Sequence, residues 1–186
     1  MTTIIIIVIL VLLVVAYVMM YNGLVNLRTH AQEAWSQIDV QLQRRNDLIP
    51  NLLETVKGYS KYEAATLEKV TSLRTQLASL PDDAHQEKMD VSNRLTQALG
   101  SVYAVAENYP DLKASTEYTK LMEELSNTEN KIAYSRQLYN STAAALNAKI
   151  QQFPSKIVAS LAHFAAIDYL KAPEKAQEVP KISFDD

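Results

Sequence analysis

The feature that most constrains this chain is an uninterrupted apolar run near its N-terminus. Residues Ile4 to Met20 read IIIIVILVLLVVAYVMM, Tyr21 extends the run, and the first charged residue is Arg28. At ~1.5 Å per residue the run spans roughly 25 Å of helix, which is at the short end for crossing a bilayer. A core helix would carry a polar stripe, and this segment has none. We therefore predict a transmembrane helix over residues 4–21, preceded by a short tail at residues 1–3.

A cleavable signal peptide is the alternative interpretation of this run. It fits less well, because Met1-Thr2-Thr3 carries no Lys or Arg and no Ala-x-Ala site follows.

The charges after the run bear on its orientation in the membrane. Arg28 follows the run, with Arg44 and Arg45 further along. The positive-inside tendency therefore favours a single-pass protein with its N-terminus outside and its folded part in the cytoplasm.

Beyond the run, apolar residues recur in alternating steps of four and three, which is the seam of a heptad helix. The seam comprises Leu24, Arg28, Ala31, Trp35, Ile38, Leu42, Arg45, Ile49, Leu52, Val56, Tyr59 and Glu63, and it continues to Leu77. Pro50 lacks an N–H and should kink the helix, yet the seam keeps its phase across it. We predict one helix over residues 22–80, kinked near Pro50.

Proline-containing turns divide the rest of the chain. Pro110 presets φ in a turn between two helices, and Pro154 is acceptable in the first turn of a final helix. The predicted later helices span residues 83–108, 115–152 and 154–171, and a polar tail spans 172–186. The last helix is expected to bury Ile157, Leu161, Phe164 and Ile167.

Short turns between amphipathic helices make antiparallel neighbours the default. No run of alternating hydrophobicity indicates a sheet. The predicted fold class is therefore all-α: an N-terminal transmembrane helix that continues into an elongated antiparallel four-helix bundle over residues 22–171.

Several polar residues fall on the core register of these helices. One interpretation places Arg45 and Glu63 at the seam edge, with their charges reaching water. The other is a buried polar layer in which Arg45 meets an acid such as Glu129 or Asp39 and fixes helix register. Trp35 is interpreted as a core residue, with a partner contact as the alternative. The residues predicted to set register or packing are Trp35, Arg45, Pro50, Glu63, Pro110, Thr128, Glu129 and Pro154.

The residues give no support for catalysis. The chain has no cysteine, and its three histidines lie on different predicted helices. His30-Ala-Gln-Glu33 is the reverse of the Glu-x-x-His order of di-iron bundles, and neither HExxH nor a glycine-rich phosphate loop occurs. We predict no enzyme and no cofactor, metal or catalytic residue. A net charge of −3 gives no support for a nucleic-acid partner.

Five stretches of the chain together resemble the LemA family. They are YNGLVNLR at 21–28, AWSQIDVQLQRRNDLIPNLLETVKGYSKYE at 34–63, ENYPDLKAS at 107–115, ELSNTENKIAYSRQLYN at 124–140 and Phe153-Pro154. They occur in the family's order, and the resemblance extends over nearly the whole chain. The chain departs from the family pattern where Tyr169-Leu170-Lys171-Ala172 replaces an aromatic-acidic ending.

The resemblance implies a bacterial membrane protein with a short tail, one spanning helix and an antiparallel four-helix bundle, without a known activity or cofactor. Some relatives are linked to membrane shaping in magnetosome-forming bacteria. Others are lipoproteins with the bundle outside the cytoplasm, so the side of the cytoplasmic membrane on which this bundle lies stays open.

We predict a scaffolding protein that self-associates in the cell membrane. Its partners are the bilayer, through residues 4–21, and further copies of the chain. The physical reason is that anchoring confines the bundle to two dimensions and raises its effective concentration. The alternative is an adaptor that presents a helix groove to another membrane protein, such as a protease or signalling component. The tail at residues 182–184 is interpreted as a loosely tethered terminus, with a docking strand for such a partner as the other interpretation. An enzyme is the remote alternative.

Overall fold

The computed structural model describes residues 1–58 and 64–171, with Val105 described by its backbone only. Six helices occur in these residues: α1 Thr2–Lys57, α2 Ala64–Ser79, α3 His85–Ala106, α4 Pro110–Lys113, α5 Thr116–Gln151 and α6 Ser155–Leu161. No strand occurs among them, so the predicted all-α class is confirmed. The helices predicted over 83–108 and 115–152 agree with α3 and α5 to within two residues at each end.

The helices form two compact units, which we call the anchor unit and the core unit. The anchor unit contains Met1–Asp39 and Ala133–Tyr169. The core unit contains Val40–Ile132 and, among the described residues that follow the anchor unit, Leu170 and Lys171. Helices α1 and α5 therefore contribute residues to both units.

The apolar run forms the first part of α1. The side chains of residues 4–19 are all exposed, and α1 contains a stretch long and apolar enough to cross a membrane. A helix satisfies its backbone hydrogen bonds internally, which is what a segment in lipid requires. The fully exposed apolar surface is unfavourable in water at about 25 cal/mol per Å². This segment therefore needs apolar surroundings that the described part of the chain does not supply.

In the anchor unit, α1 and α5 run antiparallel. The rings of Trp35 and Tyr139 meet edge to face with centroids 6.0 Å apart. Further along, Leu24 and Leu146 share a buried cluster. Toward the apolar run, residue numbers therefore fall along α1 and rise along α5. The C-terminal end of α5 thus lies near the apolar run.

Helix α6 corrects the predicted last helix over residues 154–171, because it ends at Leu161. His163 takes a left-handed conformation with a φ of 55°, and the Phe164 N–H donates to the Ala159 carbonyl at 2.9 Å. These are the marks of a Schellman helix end, although glycine is the usual residue at this position. Ile157 and Leu161, which were predicted to be buried, are exposed.

The chain after α6 is held by a side chain. Asn147 of α5 donates from Nδ2 to the Ile167 carbonyl at 2.8 Å, and its Oδ1 accepts from the Ile167 N–H at 3.0 Å. This amide satisfies both backbone groups of Ile167, so the segment needs no helical hydrogen bonds at that point. Phe164 and Ile167 pack partly buried against the cluster of Leu24 and Leu146.

In the core unit, α2 corrects the prediction of one helix over residues 22–80. Arg74 Nε of α2 donates to the Asn46 carbonyl of α1 at 3.0 Å. In one continuous helix these two residues would be about 42 Å apart at 1.5 Å per residue. Helix α2 therefore lies beside α1 and does not extend it. The heptad phase could not distinguish one long helix from two helices that lie side by side. Gly58, a poor helix former just after α1, was the sequence signal that α1 ends there.

The bundle of the core unit consequently consists of α1, α2, α3 and α5. The number of helices agrees with the prediction, but their assignment differs, because the predicted first helix supplies two of them. The predicted last helix belongs to the anchor unit instead.

Pro50 explains why Arg74 bonds to that particular carbonyl. Helix α1 continues through Pro50, which has no N–H to donate to the carbonyl of Asn46, four residues earlier. Asn46 is buried, so an unsatisfied carbonyl would be costly. The Arg74 side chain supplies the missing donor.

We expect the cost of Arg74→Ala to depend on Pro50. With Pro50 present, Arg74→Ala leaves a buried acceptor without a donor and should cost about 1–3 kcal/mol of unfolding free energy. In a Pro50→Ala background, the new N–H replaces the lost donor and the cost should fall. Denaturant unfolding followed by circular dichroism measures both costs. Thr75→Ala, an exposed neighbour, serves as the control, and equal costs of Arg74→Ala in the two backgrounds would contradict this role.

A buried arginine layer as the candidate functional site

The most unusual side chain in the core unit is Arg45, which has no solvent exposure. It lies on the seam of α1 between the buried residues Leu42 and Ile49. Burying a guanidinium is costly unless its charge and its donors are satisfied. The structure therefore identifies Arg45 as the centre of a polar layer.

Two neighbouring helices supply acceptors to this guanidinium. From α5, Glu129 Oε2 accepts from Arg45 Nη1 at 2.8 Å. From α3, the hydroxyl oxygens of Ser92 and Thr96 accept from Nη2 at 2.6 Å and from Nη1 at 3.0 Å. Thr96 in turn donates to Glu129 Oε1 at 3.1 Å, which closes the network. One cation thus connects α1, α3 and α5 at a single level.

The electrostatic cost falls mainly on one partner. Burial lowers the pKa of Arg45, while the charge of Glu129 and its hydrogen bond act in the opposite direction. The Glu129 side chain keeps 41% of its surface exposed, whereas that of Arg45 keeps 1%. The guanidinium stays charged at neutral pH because its intrinsic pKa is very high. Its Nε is buried and has no hydrogen-bond partner among the described residues.

A pocket of about 260 Å³ lies beside the layer. Its lining residues come from α1, α3 and α5: Arg45, Thr96, Leu99, Tyr103, Met122, Leu125, Ser126, Glu129 and Asn130. Burial, followed by the charges of Tyr118 and Glu129, raises the pKa of Tyr103 to about 12. No histidine or cysteine lines the pocket, so Ser126 has no base beside it of the kind that activates a serine nucleophile.

The other predicted packing residues occupy separate places. Trp35 is buried in the anchor unit against Tyr139. Thr128 is buried in α5 and donates to the carbonyl of Glu124 in its own helix at 2.7 Å, so it does not join the layer. Glu63 lies outside the described residues.

The three predicted prolines lie at different points of the helices. Pro50 is inside α1, Pro110 is the first residue of α4, and Pro154 is the residue that precedes α6. The turn predicted around Pro110 thus contains a single helical turn of its own.

Ser92, Thr96 and Arg74 are the contact residues that sequence reasoning missed. Ser92 and Thr96 are four residues apart and therefore share one face of α3. Ser92 is buried next to the seam residues Val91 and Leu95. Two small hydroxyl residues bordering a seam are a weak signal, since such residues are common on solvated helix faces.

Comparisons with known proteins extend these observations. The model of the LemA family matches residues 34–184. Protein LemA of Metamycoplasma hominis is 28% identical over 91% of this chain and 75% of its own length. Magnetosome protein MamQ of Magnetospirillum gryphiswaldense is 24% identical over 82% of this chain, and Magnetosome protein MamQ 2 of Paramagnetospirillum magneticum is 26% identical over 83%. The match spans 65% of the length of each of these two magnetosome proteins.

We expect the losses from removing Arg45 and Glu129 to be strongly non-additive. Glu129→Ala leaves a buried cation without its counter-charge and should cost roughly 3 kcal/mol, the low end for a broken buried pair, because water reaches Glu129. In the Arg45→Ala background the same change should cost much less. Denaturant unfolding of the two single variants and the double variant measures the coupling.

Arg44 and Glu124 provide a matched control for that cycle. They connect the same two helices at 3.6 Å, but both side chains are about half exposed. Alanine substitutions there should cost at most about 1 kcal/mol and show little coupling. Additive losses at Arg45 and Glu129 would contradict the buried layer.

The raised pKa of Tyr103 predicts a loss of stability at high pH. The unfolded chain releases a tyrosine proton at a pKa of ~10, whereas the folded state holds it up to about 12. The folded state therefore binds more protons in this window, and stability is complete below it and falls as the pH rises through it. Tyr103→Phe should reduce this fall, as measured by denaturant unfolding at a series of pH values. The exposed Tyr134→Phe is the control, and an unchanged slope in Tyr103→Phe would contradict the assignment.

Proposed function

Because this chain belongs to the LemA family, we propose that it is a membrane-anchored structural protein that self-associates at a bacterial cell membrane and takes part in membrane organisation or remodelling. The coarser statement, that it is a membrane-associated member of this family, rests on its relatives and on the one long apolar helix found among the described residues. Self-association is the part that is proposed.

The observation that carries the proposal is the exposed apolar segment at residues 4–19, which is continuous with a folded helical chain. Moving Ile, Leu and Val residues into lipid contributes about −0.3 to −0.6 kcal/mol each, hence on the order of 4–8 kcal/mol for the residues of these three types in this run. That free energy supports stable anchoring. Confinement to a plane then makes weak lateral contacts between copies effective.

Exposed apolar side chains outside the anchor offer such contacts. Val40 and Tyr134 are 59% and 67% exposed on α1 and α5. Two relatives are named as magnetosome proteins, and this kinship supports the membrane-associated part of the proposal.

The candidate site also favours a structural role. Apart from Arg45 Nε, the polar groups of the arginine layer bond to one another across three helices, and we expect these bonds to fix helix alignment. Among the described residues, no group of three His, Cys, Asp or Glu is placed to hold a metal ion. These features support a structural protein over an enzyme.

Counting copies in a bilayer tests the proposal. The chain has no cysteine, so Asn127→Cys places one fluorophore on an exposed position of α5. We expect single-molecule photobleaching of the labelled full chain to show several copies in each liposome. The protein-to-lipid ratio is kept so low that a random distribution would place one copy in a liposome.

A matched variant in which leucines replace residues 4–21 keeps the anchor apolar and changes its surface. Association that persists in this variant assigns the contacts to the rest of the chain. Single copies at every ratio would contradict self-association, and a fixed complex with a different membrane protein would favour the adaptor function.

A further inference from the structure

Helix α6 exposes its two largest apolar side chains and buries smaller ones. Ile157 and Leu161 lie four residues apart on one side and are 53% and 67% exposed. Ser155, Val158 and Ala159 are buried instead. Phe153, just before the helix, is 82% exposed. Three large apolar side chains exposed within nine residues are a feature of surfaces that contact another apolar phase.

The position of α6 indicates which phase that is. Val158 and Ala159 pack against Leu24 and Leu146, and Met20 of the apolar run packs on the same cluster. Phe164, three residues after α6 ends, meets Tyr21 edge to face with ring centroids 5.8 Å apart. Helix α6 and the end of the apolar run therefore pack on the same buried cluster.

Distances along the helices place this region at the membrane surface. Leu24 is three residues beyond Tyr21, or about 4.5 Å of helix rise. The headgroup region adds roughly 5–8 Å to each side of the hydrocarbon core. Leu146 lies beside Leu24, and α5 continues five residues further toward the anchor, about 7.5 Å. The exposed Phe153 therefore follows α5 close to the level of Tyr21.

The charges near this region suit a lipid headgroup layer. The Arg28 guanidinium lies 4.9 Å from the centre of the Phe164 ring, and Arg28 is an exposed residue. Lys156 is exposed on α6 itself. Basic side chains at this depth are attracted to lipid phosphates, and their stems cover apolar surface. Asp168 is the exposed acid on the segment that follows.

We propose that α6 is an interfacial helix that lies on the bilayer beside the anchor, with Phe153, Ile157 and Leu161 in the boundary between headgroups and acyl chains. The occupant of this apolar face is the lipid bilayer itself, as for other amphipathic helices that lie in the membrane plane. The inference rests on the anchoring part of the proposed function. It does not require self-association.

A second contact with lipid would orient the anchor unit. A single spanning helix can rotate about its axis and tilt freely, whereas an additional contact beside it restricts both motions. Interfacial side chains are among the features that set helix tilt and rotation in a bilayer.

Fluorophores at three introduced cysteines test the proposal in liposomes of the full chain, since the chain has no other cysteine. Ile157→Cys reports on α6, Val11→Cys on the anchor, and Tyr134→Cys on an exposed site of the same unit. Tyr134 is twelve residues before Leu146, about 18 Å further along α5 from the membrane. Circular dichroism confirms that each labelled variant is folded.

We expect nitroxide groups attached near the lipid headgroups to quench the label at Ile157 and to leave the label at Tyr134 bright. Aqueous iodide should show the opposite order. The label at Val11 should be quenched by nitroxides placed deep in the acyl chains.

The outcomes separate this inference from the proposed function. A quenched label at Val11 with an Ile157 label that behaves like Tyr134 overturns the interfacial helix and leaves the anchor intact. An unquenched label at Val11 overturns the anchor itself. An Ile157 label that ignores nitroxide lipids, but shifts to shorter wavelength as the protein-to-lipid ratio rises, shows that a second copy covers the face and also overturns the inference.

Discussion

The structure depends on the continuity of one helix. α1 runs for 56 residues, from the apolar segment into both compact units. In lipid the backbone must satisfy its own hydrogen bonds, and an unbroken helix meets that condition at the membrane boundary as well. The side chains of α1 change from wholly apolar to heptad-patterned without a change of backbone structure. The same element can therefore enter a bilayer and form a protein core.

Within the core unit, the arginine layer limits how the helices can be aligned. Leucine and valine seams tolerate a slip of one heptad, because similar side chains recur every seven residues. A buried guanidinium does not, since a slip would separate it from Ser92, Thr96 and Glu129 at a cost of several kcal/mol. We therefore expect the layer to contribute more to a unique alignment of the helices than to overall stability.

The periodic features of the sequence predicted the periodic features of the fold. The apolar run and the heptad seams indicated the anchor segment, α3 and α5, and the pairing of Arg45 with Glu129 was one of two interpretations weighed. The placement of α2 was missed, because two antiparallel helices can continue one heptad phase as well as a single long helix does. The early end of α6 was missed because it depends on His163 adopting a conformation that usually signals glycine. The bond from Arg74 to Asn46 joins residues 28 positions apart, and no local pattern encodes such a contact.

The proline in α1 has a consequence for local opening of the bundle. The Asn46 carbonyl receives its hydrogen-bond donor from α2. The turn of α1 at Pro50 therefore lacks this hydrogen bond until α2 has docked. Detaching α2 would at the same time loosen α1 around Pro50. We therefore expect these two segments to open together, as one cooperative unit.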